Sequence, residues 1–270
     1  MEHIVIQIFI SILGLAIGSF LNVCIYRIPR EDLSIYSPRR SFCPECNESI
    51  AIYDNIPLLS YLILGGKCRK CKTKISVIYP LVEVVTAILF LVMYYKFGKS
   101  GKTLELIHAL IFVSVLIPIF VIDAQHLIIP NTISIVGLSL GILIVGLTAY
   151  YSQDLDYLRD RLIGFVLGGL SLGLIAIIGS AIMRKKAMGM GDVKLMALIG
   201  LYLGAFPALP LVIGLSAFGG ALIGTILIST GKKSRQSPIP YGPFIAGAAV
   251  IVLLWGDMLW EKYLQLAGWN

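Results

Sequence analysis

Apolar runs of about twenty residues follow one another along almost the whole chain, with short polar breaks between them. They lie near 4–26, 76–97, 103–122, 129–150, 161–183, 192–206, 209–229 and 242–264. A helix of roughly twenty residues crosses a ~30 Å hydrocarbon core. The pattern therefore predicts an all-α polytopic membrane protein of about eight transmembrane helices. The sixth run is short, and the FPALP stretch at 206–210 separates it from the seventh. One polar stretch is long enough for a small domain, which divides the chain into a first helix (1–26), a loop domain (27–75) and a membrane domain (76–270).

Composition agrees with the pattern. Only 14% of residues are charged and 57% are hydrophobic, where a soluble domain carries roughly 25% charge. The first run has no basic residues before it, and its cations Arg27 and Arg30 follow it. That polarity predicts a retained span rather than a cleaved signal. With the N-terminus outside, inner loops at 27–75, 123–128, 184–191 and 230–241, with Lys194 at the edge of the third, hold 16 of the 22 Lys and Arg residues. This bias is the positive-inside signature, and Arg184, Lys185 and Lys186 read as topology anchors. The charge is spent on topology, so no nucleic-acid partner is expected.

The polar loop carries C-x-x-C twice, at Cys43/Cys46 and Cys68/Cys71, with 21 residues between the pairs. Two such turns can close a tetrahedron of thiolates around a structural zinc ion. A loop of this size buries little apolar surface, so a metal staple has a physical purpose. Two disulfides are the competing reading, disfavoured if the loop faces a reducing cytosol. Cys24, inside the first run, reads as a buried small hydrophobe.

Three acids sit in or beside apolar runs: Glu83, Asp123 and Asp192. An ionisable group costs on the order of 2.5–3.5 kcal/mol at the bilayer centre and less at its edge, so each is a functional candidate. Asp123 and Asp192 fall on the same side of the derived topology. Two carboxylates at one depth cannot both ionise freely, and a pair sharing one proton can activate water and polarise a peptide carbonyl. That is aspartic proteolysis, the dyad titrating as a unit. Gly189 and Gly191 would let the backbone turn and approach a neighbour. The plainer alternatives stay open: Asp192 as a helix cap, Asp123 as an interfacial loop acid, and Pro130-Asn131 as a simple helix start.

Together these residues resemble the type IV prepilin peptidases. The resemblance rests on GSFLNVCIYRIPR (18–30), CPEC and CRKC, YPLVEVVTA (79–87), the IPN at 129–131 that follows Asp123, GMGD (189–192) and PYGPFIAGA (240–248). It implies a prokaryotic cytoplasmic-membrane enzyme that removes the leader of prepilins and pseudopilins at the cytoplasmic face. The implied catalytic pair is Asp123 and Asp192, supported by Gly189, Gly191, Lys194 and Pro130. Many members also N-methylate the new N-terminus with S-adenosylmethionine, and Glu83 falls at an acidic position that could contribute there. Where the family often has Asp, this chain has Asn131, which caps a helix equally well. Glu45, Glu48 and Asp54 are the acids expected to dock a basic leader. Two other readings remain: a cleavage-only peptidase with a structural zinc loop, and a non-enzymatic transporter or assembly scaffold. The sequence leaves the oligomeric state open.

Overall fold

The computed structural model describes residues 2–30, 32–184, 188–234 and 237–268. All eight apolar runs are helical. They are α1 (Glu2–Arg27), α3 (Ile78–Met93, continued by a π-turn at Tyr94–Gly98), α4 (Thr103–His126), α5 (Asn131–Ser152), α6 (Leu155–Met183), α7 (Met190–Leu203), α8 (Ala208–Ser229) and α9 (Gly242–Leu266). A five-residue helix, α2 (Leu59–Ile63), lies in the polar loop. Among the described residues, seven of these helices are long and apolar enough to span a membrane. The exception is α7: its 14 residues reach only about 21 Å at 1.5 Å per residue. Lys185 and Lys186 lie outside the described residues.

The chain forms two compact units, Met1–Leu106 and Ile107–Asn270. In the first, α1 packs along α3 through the small-residue spacing Gly14-x-x-x-Gly18. A Cβ on Gly14 would sit 2.6 Å from the Cα of Ala87, and one on Gly18 2.7 Å from the Cα of Glu83. Backbones therefore touch where a side chain has no room. Cys24 is buried in the same helix, as its apolar setting predicts.

In the second unit α7 is the central element, packed against α5, α6, α8 and α9. Leu195, Met196, Leu198, Ile199, Leu201 and Tyr202 of α7 are all nearly inaccessible. A short helix surrounded by others ends where bulk water does not serve its last carbonyls, so side chains must. Arg161 Nη1 donates to the Tyr202 carbonyl at 2.6 Å and His108 Nε2 donates to the same oxygen at 2.9 Å. The Tyr202 hydroxyl donates to the Gly137 carbonyl at 2.8 Å, and its ring stacks on Phe112 at 4.7 Å. With its C-terminal end held in this way, α7 presents its N-terminus, and Asp192, at a defined depth.

Candidate active site and metal centre

Asp123 lies in the last turn of α4 and is 5% exposed. Its Oδ2 accepts a 2.9 Å hydrogen bond from the backbone N–H of Gly242, the first residue of α9. Pro243 follows at an early helical position, where its missing N–H costs nothing. A Cβ on Gly242 would stand 2.7 Å from Asp123 Oδ2 and 3.0 Å from Cγ. Only glycine lets the N-terminus of α9 close onto this carboxylate.

Asp192 is the third residue of α7 and is half-buried. The N-cap is Gly189, and the Asp192 carboxylate lies against the Gly189 N–H. Asp192 is therefore not the cap itself; it reaches back from the third position, as the acid of a capping box does. Ile129 and Asn131, a few residues past Asp123, touch Gly191 and Lys194 on either side of Asp192, so the fold brings together the segments bearing two acids 69 residues apart in sequence.

The flanking residues divide. Gly191 is a true close approach: a Cβ there would meet Ile129 Cβ at 2.9 Å. Gly189 is not, because its φ of −75° is open to any residue and an added Cβ would make only ordinary contact with Asp192. Pro130 is the N-cap of α5 in extended conformation. The capping role expected of Asn131 is likewise corrected, since Asn131 is already the first helical residue. Its Oδ1 instead accepts a 2.8 Å hydrogen bond from Lys194 Nζ. Through the Ile129–Gly191 and Asn131–Lys194 contacts, the segment after Asp123 grips the first turn of α7.

In the first unit the two cysteine pairs form matching knuckles. Antiparallel bridges Phe42↔Ser49 and Lys67↔Lys74 flank them. In each, the residue after the second cysteine, Asn47 or Lys72, has positive φ. The Cys43 N–H donates to the Glu48 carbonyl at 3.0 Å, and the Cys68 N–H donates to the Thr73 carbonyl at 2.9 Å. The four sulfurs of Cys43, Cys46, Cys68 and Cys71 lie within 4.8 Å of one another, and all are free thiols. The Cys43–Cys71 pair is 3.8 Å apart. A tetrahedral zinc with 2.3 Å Zn–S bonds puts its sulfurs about 3.8 Å apart, so the cluster is compatible with that ion. Hydrogen bonding with Thr73 holds the Cys71 thiol down to about 6, while at Cys46 the Glu48 backbone hydrogen bond is outweighed by desolvation and the neighbouring thiols, which push that thiol up to about 11.

Two of the three acids expected to dock a leader are already engaged. Asp54 takes a forked pair of hydrogen bonds from Arg69 at 2.7 and 2.6 Å, and Glu48 pairs with Lys70 at 2.9 Å. Glu45 and Glu48 are exposed, while Asp54 is partly covered. Glu83 is 8% exposed and accepts a 2.7 Å hydrogen bond from the N–H of Leu58, a non-glycine residue with φ 59°. Ser19 of α1 also bonds to it. These contacts make Glu83 a tie between α1, α3 and the loop.

With this geometry in view, the comparisons with known proteins are decisive. Residues 12–97 match the bacterial peptidase A24 N-terminal domain, and residues 110–228 match the type IV leader peptidase family. The chain is 38% identical to the prepilin leader peptidase/N-methyltransferase of Pseudomonas aeruginosa, covering 96% of this chain and 93% of that protein. It belongs to the type IV leader peptidase family. Proteins of the same name from Myxococcus xanthus (37% identical, 95% of this chain and 75% of that protein) and Legionella pneumophila (33%, 94% and 93%) are also similar. No solved structure matches the chain.

Within this family member, sequence reasoning missed Gly242, Ile129, His108 and Arg161. PYGP was visible as a motif, yet nothing in one dimension says that its glycine meets Asp123. His108 and Arg161 carried no local signal, because their shared acceptor is a carbonyl distant in sequence from both.

Proposed function

We infer that this chain is a membrane aspartic endopeptidase that removes the leader from type IV prepilins and pseudopilins and N-methylates the new N-terminus. Asp123 and Asp192 carry the peptidase chemistry. The observation behind this assignment is the convergence of their segments: Asp123 lies in the last turn of α4, Asp192 in the first turn of α7, and the residues just after Asp123 contact those flanking Asp192. One ionised carboxylate takes the proton of the attacking water. The other, protonated, donates to the scissile carbonyl as it becomes tetrahedral. The pair shares one proton and acts as a unit. Gly242 holds Oδ2 of Asp123, while Gly191, Ile129, Asn131 and Lys194 hold the approach of α7.

The excess of Lys and Arg on one set of loops supports a cytoplasmic-membrane orientation with the N-terminus outside and the site at the cytoplasmic face. A substrate with an apolar helix in the bilayer would then present the bond before that helix to water and both acids. The four cysteines would hold a zinc ion, whose role with four thiolate ligands would be structural. Glu83 is better supported as a packing tie than as a methyl-transfer residue. S-adenosylmethionine supplies the methyl group.

Purified protein is incubated with a prepilin, with and without S-adenosylmethionine, and the product is weighed by mass spectrometry. Leader loss plus one added methyl is expected. Asp123→Asn and Asp192→Asn should each abolish cleavage, and retained cleavage by either would sink the dyad. Leader loss alone would remove the methyltransferase half, and unchanged substrate would favour a scaffold.

A further inference from the structure

Ser216 lies inside α8, is 1% exposed, and has no place in the site described above. Ser216, Gly220 and Gly224 are spaced four apart and so share one face of that helix. The chain entering α9 runs along this face. A Cβ on Gly224 would stand 3.3 Å from Ile239 Cδ1, and one on Gly220 3.5 Å from the Tyr241 ring. Past the glycines, the Tyr241 hydroxyl meets Ser216 Oγ at 2.9 Å. Ser216 Oγ already donates its single hydrogen to the Ile213 carbonyl at 3.1 Å, so the phenol is the donor of the pair. On the other side, Lys233 Nζ donates to the Pro238 carbonyl at 2.7 Å. Residues 238–241 are thus held at both ends, and Pro240 between them has no N–H to satisfy.

We propose that Ser216 and Tyr241 are positioning residues for peptide cleavage, latching the start of α9 to α8 so that it meets Asp123 in one orientation; the proposal rests on the peptidase reading above. Tyr241 and Gly242 share one peptide group, which is planar. Its carbonyl accepts from the N–H groups of Phe244 and Ile245 at 3.0 and 3.2 Å and so starts α9. Its N–H is the one that donates to Asp123 Oδ2 at 2.9 Å. Any rotation of this plane re-aims both bonds together, and an N–H···O bond weakens steeply as it bends. The Tyr241 side chain fixes the plane from outside α9, with its ring on Gly220 and its hydroxyl on Ser216. Without Ser216 the phenol would lose its acceptor, and the plane would lose its reference to α8. The two middle residues of PYGP therefore divide the work. Tyr241 grips α8, and Gly242 leaves room for the carboxylate.

The test uses full-length protein in lipid nanodiscs. Initial rates over a range of prepilin concentrations separate kcat from KM, and thermal unfolding follows the fold. Tyr241→Phe and Ser216→Ala should each lower kcat roughly fivefold with KM unchanged, the effect of one lost hydrogen bond. Thr225→Ala, an exposed position of α8 whose hydroxyl bonds to Ala221 of the same helix, should match wild type. In a Gly242→Ala background, where the Asp123 contact is already displaced, Tyr241→Phe should lower kcat by less than a further factor of two. A merely structural hydrogen bond would lower Tm and add its whole effect to that of Gly242→Ala. The latch is overturned if Tyr241→Phe keeps kcat within a factor of two of wild type, or if its full loss persists on top of Gly242→Ala. Should Ser216→Ala not fold, Tyr241→Phe decides, because it leaves Ser216 bonded to Ile213. Wild type that cleaves, with Asp123→Asn inactive and Tyr241→Phe unimpaired, refutes the latch alone. Wild type that does not cleave, or Asp123→Asn that does, refutes the peptidase reading and the latch with it.

Discussion

Gly242→Ala adds one methyl group at the point where α9 meets the peptidase pair. The new Cβ would stand 2.7 Å from Asp123 Oδ2, 3.0 Å from Cγ and 3.2 Å from Cβ. Real Cβ atoms do not approach other atoms that closely, so the carboxylate or the helix end must shift. Overpacking of this kind costs about 1–3 kcal/mol. The movement also loosens the 2.9 Å hydrogen bond from the Gly242 N–H, a contact to an ionisable group worth about 1.5–3 kcal/mol. If that second amount is lost from the transition state, kcat falls roughly 10- to 150-fold. The control lies in the same helix. Gly247 has open space around its missing Cβ, so Gly247→Ala should leave cleavage unchanged and gain a few tenths to about 1 kcal/mol of helix stability. Both variants are assayed by initial rates of prepilin cleavage, with thermal unfolding as a check on folding. Gly242→Ala cleaving within a factor of two of wild type would refute the argument that this contact positions Asp123.

Gly191→Ala should lower cleavage by roughly tenfold or more, because its Cβ would meet Ile129 at 2.9 Å and push back the turn bearing Asp192; Gly189→Ala, with only ordinary contacts, should be mild. Metal analysis of the purified protein should find one zinc per chain, lost in Cys43→Ser or Cys68→Ser. The apparent Tm should fall with it, since the loop has little core of its own; metal-free protein of undiminished stability would contradict a zinc staple. Arg69 holds the Asp54 carboxyl below its ordinary range. A depressed carboxyl contributes stability above the unfolded carboxylate pKa of about 3.9 and loses it as pH falls through the folded value. Asp54→Asn should therefore increase protease sensitivity of residues 43–75 at pH 7, with the difference from wild type shrinking as the pH falls below about 3.9; a difference that stays constant on acidification would argue against the pairing.

Some of the molecule was legible in one dimension because its cause is local. Twenty apolar residues in a row answer to the bilayer whatever their neighbours, so the seven long helices follow from composition alone, as does the brevity of α7. Each C-x-x-C pair closes its own turn, so the knuckles at Cys43/Cys46 and Cys68/Cys71 were readable from spacing. An acid at the edge of an apolar run is costly wherever it lies, which singled out Asp123, Asp192 and Glu83.

What those acids face is decided by packing between segments far apart in the chain, and no local rule carries that. Asp123 meets Gly242 across 119 residues, and Lys194 meets Asn131 across 63. Glu83 accepts from the N–H of Leu58, and Asp54 accepts from Arg69. GMGD looked like two flexible glycines before an acid. The fold separates them: Gly191 is required by Ile129, while Gly189 merely precedes the helix. Sequence alone determined which residues are expensive to bury. The tertiary structure decided which of them gain a partner, because a hydrogen bond or a close approach depends on distance in space and not on position in the chain.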